Sequence, residues 1–222
     1  MKNLQKRALA IHEKLIEAFG EPVWRIPLPA IDELISTILS QNTNDINRDR
    51  GFNALRAKFR AWEFVRDASP EEVIDAIRPA GLANQKGPRI QQVLRAITEE
   101  RGSLNLDFLA GLSVEEARSW LTKFNGVGPK TAAIVLCFSL NMPAFPVDTH
   151  IYRVSGRIGL RPEKMTVEQA HPHLESVFPP EAYYAAHLNI IRLGREFCGA
   201  RKPNCLQCPI QDLCDYWVRL KK

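Results

Sequence analysis

Four cysteines crowd into residues 198–214 of this 222-residue chain. Their order, Cys198-x6-Cys205-x2-Cys208-x5-Cys214, puts four thiols in one short stretch, and thiolates are the ligands of zinc and of iron–sulfur clusters. Structural zinc usually takes two short-gapped knuckles. This stretch has one, Cys205-Leu206-Gln207-Cys208, with unequal outer spacings, which favours a cluster held by four cysteines over zinc or unliganded thiols. The loop between the first two ligands carries Arg201 and Lys202. Pinned at both ends by a metal centre it suits a phosphate clamp; unpinned, it is a solvated charged loop. Cys137 stands apart in the apolar run 132–138 and reads as a buried small hydrophobe.

A second constellation lies at residues 121–133, where Gly126-Val127-Gly128-Pro129-Lys130 reads as a helix end, a Gly-x-Gly turn and a helix start. Both glycines permit positive φ, and Pro129 suits the first turn of the following helix. Such a turn aims backbone N–H groups and the positive end of a helix dipole outward, where a nucleic-acid phosphate can dock. An ordinary αα-hairpin has the same signature. Lys130 sits in the first turn, where the dipole and apolar surroundings would favour the free amine, the nucleophilic form. Eighteen residues on, Asp148 begins another helix. Taken singly, Lys130 reads as a phosphate-contacting or solvated lysine and Asp148 as a plain N-cap; together, beside the hairpin, they read as a reactive pair.

Composition frames these sites. Thirty Lys and Arg face 25 Asp and Glu, a formal charge of +5, with 45% apolar and 25% charged residues. These proportions exclude wholesale disorder and a collagen-like repeat, and a chain of this size buries a core without disulfides. The opening residues show no apolar signal-peptide core, and no run is long enough to span a bilayer, so a cytoplasmic, nucleoid-associated location is expected and the cysteines read as metal ligands.

The elements that must position these groups are helical. Leu4, Ala8, Ile11, Leu15 and Phe19 share one face of an N-terminal helix, and Leu34, Ile35, Ile38 and Leu39 stripe a second. Ser69, Ser113 and Thr166 each stand three residues before Glu or Gln, the pattern of a capping box. Further helices are expected over 44–59, 88–100, 129–140, 149–158, 180–197 and 209–220. No period-2 segment stands out, so the fold class is all-α.

With hairpin, lysine, aspartate and cysteine cluster in this order, the chain resembles the endonuclease III family of base-excision DNA glycosylases, in the helix-hairpin-helix superfamily. The likeness runs from residues 34–45 through 81–86, 126–132 and 147–150 to the cysteines. Phe124-Asn125 replaces the family's usual Leu-Pro, Pro129 stands where many relatives have a basic residue, and Gln41-Asn42-Thr43-Asn44 replaces the commoner Ala-Gln-Ala-Thr.

The resemblance implies a two-lobed helix-hairpin-helix glycosylase fold with a DNA-binding cleft between the lobes. A six-helix barrel lobe would span 23–142, and an iron–sulfur lobe would join 1–22 to 143–222. It further implies a [4Fe-4S] cluster on Cys198, Cys205, Cys208 and Cys214, attack on the sugar by Lys130 with help from Asp148, and double-stranded DNA with damaged bases or abasic sites as partner of a monomer. Gln41 or Asn42, with Leu82, would fill the gap left by the extruded nucleotide. Gly126, Val127 and Gly128 would meet phosphate, as would Arg201 and Lys202. His150 would orient Asp148 or touch phosphate, or simply be packed. The implied activity is bifunctional, a glycosylase for damaged, oxidised pyrimidines and an AP lyase. A mismatch-directed uracil or thymine glycosylase and a non-catalytic DNA-binding module are the alternatives.

Overall fold

A computed structural model describes residues 2–221. Among them there is no β-strand; these residues form twelve α-helices joined by short 3₁₀ and π turns. The chain divides into two compact units, Met1–Ile26 with Pro143–Lys222, and Pro27–Met142. Residues 23–26, grouped by sequence with the following unit, join the first. There Trp24 stacks on Tyr184 with ring centroids 3.7 Å apart, and the Arg25 N–H donates to Tyr184 Oη at 3.2 Å.

The Pro27–Met142 unit runs α2 (Ala30–Ser40), α3 (Asp45–Lys58), α4 (Trp62–Asp67), α5 (Pro70–Ile77), α6 (Ala83–Arg101), α7 (Val114–Thr122) and α8 (Pro129–Ile134), followed by a π turn over Val135–Ser139. Leu34, Ile35, Ile38 and Leu39 of α2 are fully buried, against α3, α6, α8 and the π turn. Each such side chain contributes roughly 2 kcal/mol on leaving water. Asn44 caps α3, its side chain accepting from the Asn47 N–H at 2.8 Å. Helix α6 starts five residues before the expected position, because Gly87 and Pro88, which look like a helix start, lie inside it. A Cβ on Gly87 would come within 2.9 Å of Ile74 on α5, so this glycine serves a close helix crossing. The helix expected over 129–140 stays α-helical only to Ile134 before widening into the π turn.

The other unit contains α1 (Lys2–Phe19), α9 (Thr149–Arg157), α10 (Val167–Val177), α11 (Tyr183–Glu196) and α12 (Asp215–Leu220). Ala8, Ile11 and Leu15 of α1 are buried among Val154, Leu174 and Ile190, and Phe145 stacks on Phe178 at 5.4 Å. Thr166 and Gln169 form a reciprocal capping box at the start of α10. The expected helix over 180–197 begins as a 3₁₀ turn at Pro180–Ala182. The one expected over 209–220 is broken: Gln211–Leu213 is a 3₁₀ turn, like Cys205–Gln207 before it, and only Asp215–Leu220 is α-helical. Cysteine placement overrides helical periodicity there.

Candidate functional site

The hairpin is built from a capped helix, an aromatic anchor and a glycine turn. Ser113 Oγ accepts from the Glu116 N–H at 3.2 Å and Glu116 Oε2 accepts from the Ser113 N–H at 2.9 Å, fixing the start of α7. Phe124, at the family's leucine position, is buried edge-on to Trp120 with centroids 4.8 Å apart, while Asn125 is exposed. Gly126 turns the chain at φ +85°, and a Cβ there would run into the Arg89 side chain. Val127 is buried, Gly128 is the N-cap of α8, and Pro129 and Lys130 form its first turn. Lys130 is half-buried, and among the described residues of its own unit its amine has no hydrogen-bond or ion-pair partner.

Gln41 joins this turn to the end of α2. Its Nε2 donates to the Gly126 carbonyl at 3.1 Å and its Oε1 accepts from Arg89 Nη1 at 2.9 Å. Asn42 instead is exposed, at φ +53°. Leu82, between the 3₁₀ turn Arg78–Ala80 and α6, is 45% exposed at φ +51°. Left-handed backbone at a non-glycine residue costs about 1 kcal/mol or more and concentrates at functional sites. Beneath both turns lies Lys86, only 1% exposed, whose Nζ donates to Leu39 O and Ala80 O, each at 2.7 Å. Burial pushes its pKa down to about 8.

In the other unit Asp148 caps α9, its Oδ1 accepting from the Ile151 N–H at 2.7 Å. Two arginines one turn apart fasten this helix to the first cysteine. Arg153 donates to Cys198 O at 3.0 Å and Gly194 O at 2.9 Å. Arg157 donates to Gly199 O at 2.7 Å and Ala200 O at 2.8 Å, and its Nη1 lies 3.3 Å from Cys198 Sγ. His150 Nδ1 sits 3.1 Å from Arg153 Nη2; because arginine only donates, Nδ1 is the acceptor, and this histidine is hydrogen-bonded in place.

Cys198, Cys205, Cys208 and Cys214 line one cavity with Ile158, Leu193, Phe197, Tyr216 and Trp217. None of the four is in a disulfide. Burial, and then the neighbouring thiols, push Cys205 up, and burial pushes Cys208 up to about 11. Crowded, desolvated thiols of this kind give up their protons readily only to a metal centre, whose positive charge reverses the balance. Arg201 and Lys202 are exposed on the loop, which the Asn204 N–H closes onto Phe197 O at 2.7 Å. Cys137 is buried and pushed up to about 12, as an inert core thiol should be.

Residues 35–180 match the HhH-GPD superfamily of base excision DNA repair proteins, and residues 198–214 match the iron–sulfur binding domain of endonuclease III. The endonuclease III of Thermotoga maritima is 33% identical over 189 residues, 85% of this chain and 84% of that protein. The chain belongs to the endonuclease III family. A putative DNA glycosylase of Arabidopsis thaliana is 37% identical over 174 residues, which span 78% of this chain and 59% of that protein's length. A solved trapped endonuclease III–DNA covalent intermediate matches with a TM-score of 0.81 at 26% identity, over 98% of this chain and 99% of that one. In this endonuclease III family member the four cysteines stand at the C-terminal [4Fe-4S] site, and the four-thiol, apolar-walled cavity fits that group.

Sequence reasoning had no purchase on Lys86, Arg89, Arg153 and Arg157. Lys86, Arg153 and Arg157 act largely on main-chain carbonyls, which carry no residue-type signal, and Arg89 acts on a side chain distant in sequence, that of Gln41. The spacing of Arg153 and Arg157, one helical turn apart in the helix that Asp148 begins, is the trace that was available.

Proposed function

We propose that this protein is a bifunctional glycosylase/AP lyase that removes oxidised pyrimidines from duplex DNA, acting on chromosomal DNA in the cytoplasm. The observation that carries the reading is Lys130 in the first turn of α8, directly after the glycine hairpin. The Pro27–Met142 unit serves as the barrel domain with the hairpin, and the other unit as the iron–sulfur domain.

Extruding a nucleotide costs a few kcal/mol, less where damage has weakened stacking or pairing. Asn42 and Leu82, exposed on left-handed turns, fill the space it leaves. Gln41 does not, because its amide is engaged by Gly126 and Arg89. As the glycosidic bond breaks, positive charge grows on the sugar, and the Asp148 side chain stabilises it. Capping occupies Oδ1 and leaves Oδ2 for this task. The Lys130 amine bonds to C1′ while the base departs with the bond's electron pair and gains a proton. Ring opening then gives a Schiff base, whose iminium acidifies the C2′ proton, and loss of that proton expels the 3′ phosphate. The backbone of residues 126–128 and the Arg201–Lys202 loop hold flanking phosphates. Cys198, Cys205, Cys208 and Cys214 would hold the cluster, which would supply a cross-link that shapes this loop.

Duplexes carrying thymine glycol, dihydrouracil, uracil or a T:G mismatch test the substrate class. Faster release of the two oxidised or reduced pyrimidines is the expected result. Preference for uracil or for thymine opposite guanine would overturn it in favour of a mismatch enzyme.

A further inference from the structure

Lys86 takes no part in the chemistry above, yet it is almost completely buried near the start of α6. The helix dipole disfavours a cation there, and so does loss of water. What offsets these terms is specific. The ammonium donates to Leu39 O in the last turn of α2 and to Ala80 O at the end of the 3₁₀ turn. Both oxygens sit at the carboxyl end of a helical segment, where partial negative charge accumulates. Three residues past the first stands Asn42, and two past the second stands Leu82, both left-handed and exposed.

We propose that Lys86 is a positioning residue for nucleotide extrusion, fixing Asn42 and Leu82 at one separation so that both enter the opened duplex together. The proposal rests on the reading of those two residues as the gap-filling pair. Left-handed residues persist only where their surroundings over-determine them, and Leu82 gives α6 no side-chain cap. One ammonium restrains the chain just ahead of both turns. An apolar side chain at 86 would fill the same space and leave both carbonyls without this donor, freeing the turns to move separately. Rigid presentation matters because a loop ordered beforehand loses less entropy when it meets DNA.

The test uses cluster-loaded protein and two reactions: single-turnover base release from a damaged duplex, and Schiff-base formation at an abasic site in a single strand, which has no stack to open. Lys86→Met should slow the first at least tenfold and change the second less than twofold. Lys86→Gln, retaining a donor, should fall between wild type and Lys86→Met. Leu82→Ala should cost less in the Lys86→Met background than alone, since the two act as a unit. Equal losses in both reactions, or independent multiplicative losses, would overturn the proposal. If Asn42→Gly and Leu82→Ala leave duplex release unchanged, the gap-filling reading fails first, and Lys86 loses its role with it. Hydrogen exchange on the wild-type protein needs no variant to fold. The hydrogen-bonded amides of Gln41, Thr43, Gln85 and Lys86 should open as one cooperative unit, and separate opening of the two turns would contradict a shared clamp.

Discussion

The side-chain amide of Gln41 donates to the Gly126 carbonyl oxygen at 3.1 Å, so the end of α2 and the turn of the glycine hairpin are one piece of structure. Arg89 completes the joint by donating to the other end of the same amide, and its side chain occupies the space that a Cβ on residue 126 would need. A glutamine two residues before Thr43 is thereby committed to holding the hairpin turn, and its neighbour Asn42 is left outside.

Adjacent residues should therefore fail differently. Gln41→Ala leaves two partly buried hydrogen-bonding groups short of a partner and should cost about 1 kcal/mol of stability, measured by urea unfolding. Asn42→Gly keeps the left-handed backbone at no steric cost, should change stability by less than about 1 kcal/mol, and should slow base release from duplex DNA roughly tenfold. The reverse pattern would show that Gln41 is the residue in the gap.

Arg157 grips the loop that begins at the first cysteine. Arg157→Met removes the donor to Cys198 O, Cys198 Sγ, Gly199 O and Ala200 O, and should speed loss of the absorption band near 400 nm under oxygen or chelator several-fold. An unchanged decay rate would mean that Arg157 does not protect the cluster site, the loop being held by its other contacts.

Burial sets the sign of a pH effect at Lys86. An exposed lysine in the unfolded chain holds its proton to about 10.5, whereas the folded chain releases it near 8. Between those values the unfolded state binds more protons, so this residue's contribution to stability rises with pH across the window and is least favourable below it. Urea unfolding at pH 8 and pH 10 should show the wild type gaining on Lys86→Met as pH rises. A gain in the opposite direction would contradict the assignment.

Asp148 caps α9, and in the proposed mechanism it also stabilises charge on the sugar. Asp148→Asn keeps an N-cap acceptor, so stability should change by less than about 1 kcal/mol. Base release should slow by about 10²-fold or more, with a much smaller change in affinity for DNA containing an abasic-site analogue. Equal losses in rate and affinity would reduce this residue to its cap.

How much of this was readable in the sequence depended on whether the chemistry was local. The cysteine spacing, the Gly126–Lys130 turn and the Ser113 and Thr166 caps are contiguous motifs, and each is found where its residues point. Errors arose where a distant partner decided the outcome. Gly87-Pro88 looked like a helix start because the contact with Ile74 that requires the glycine lies on another helix. The stretch after Pro209 has a helix-like composition, but the turns around Cys205, Cys208 and Cys214 break it. That Gly126 and Arg89 lie against Gln41, the contact on which the proposed choice of Asn42 rests, is likewise set by residues far off in the sequence. Lys86 gave no warning, since a lysine paired with main-chain oxygens looks like any other in the sequence.

The central claim is that the Lys130 amine forms the covalent bond to the sugar. Borohydride reduction of the protein mixed with duplex DNA bearing an abasic site, followed by peptide mass mapping, tests it directly. Wild-type protein should give one adduct, carried on Lys130, and Lys130→Ala should give none. An adduct on another residue, or one that persists undiminished in Lys130→Ala, would contradict the mechanism.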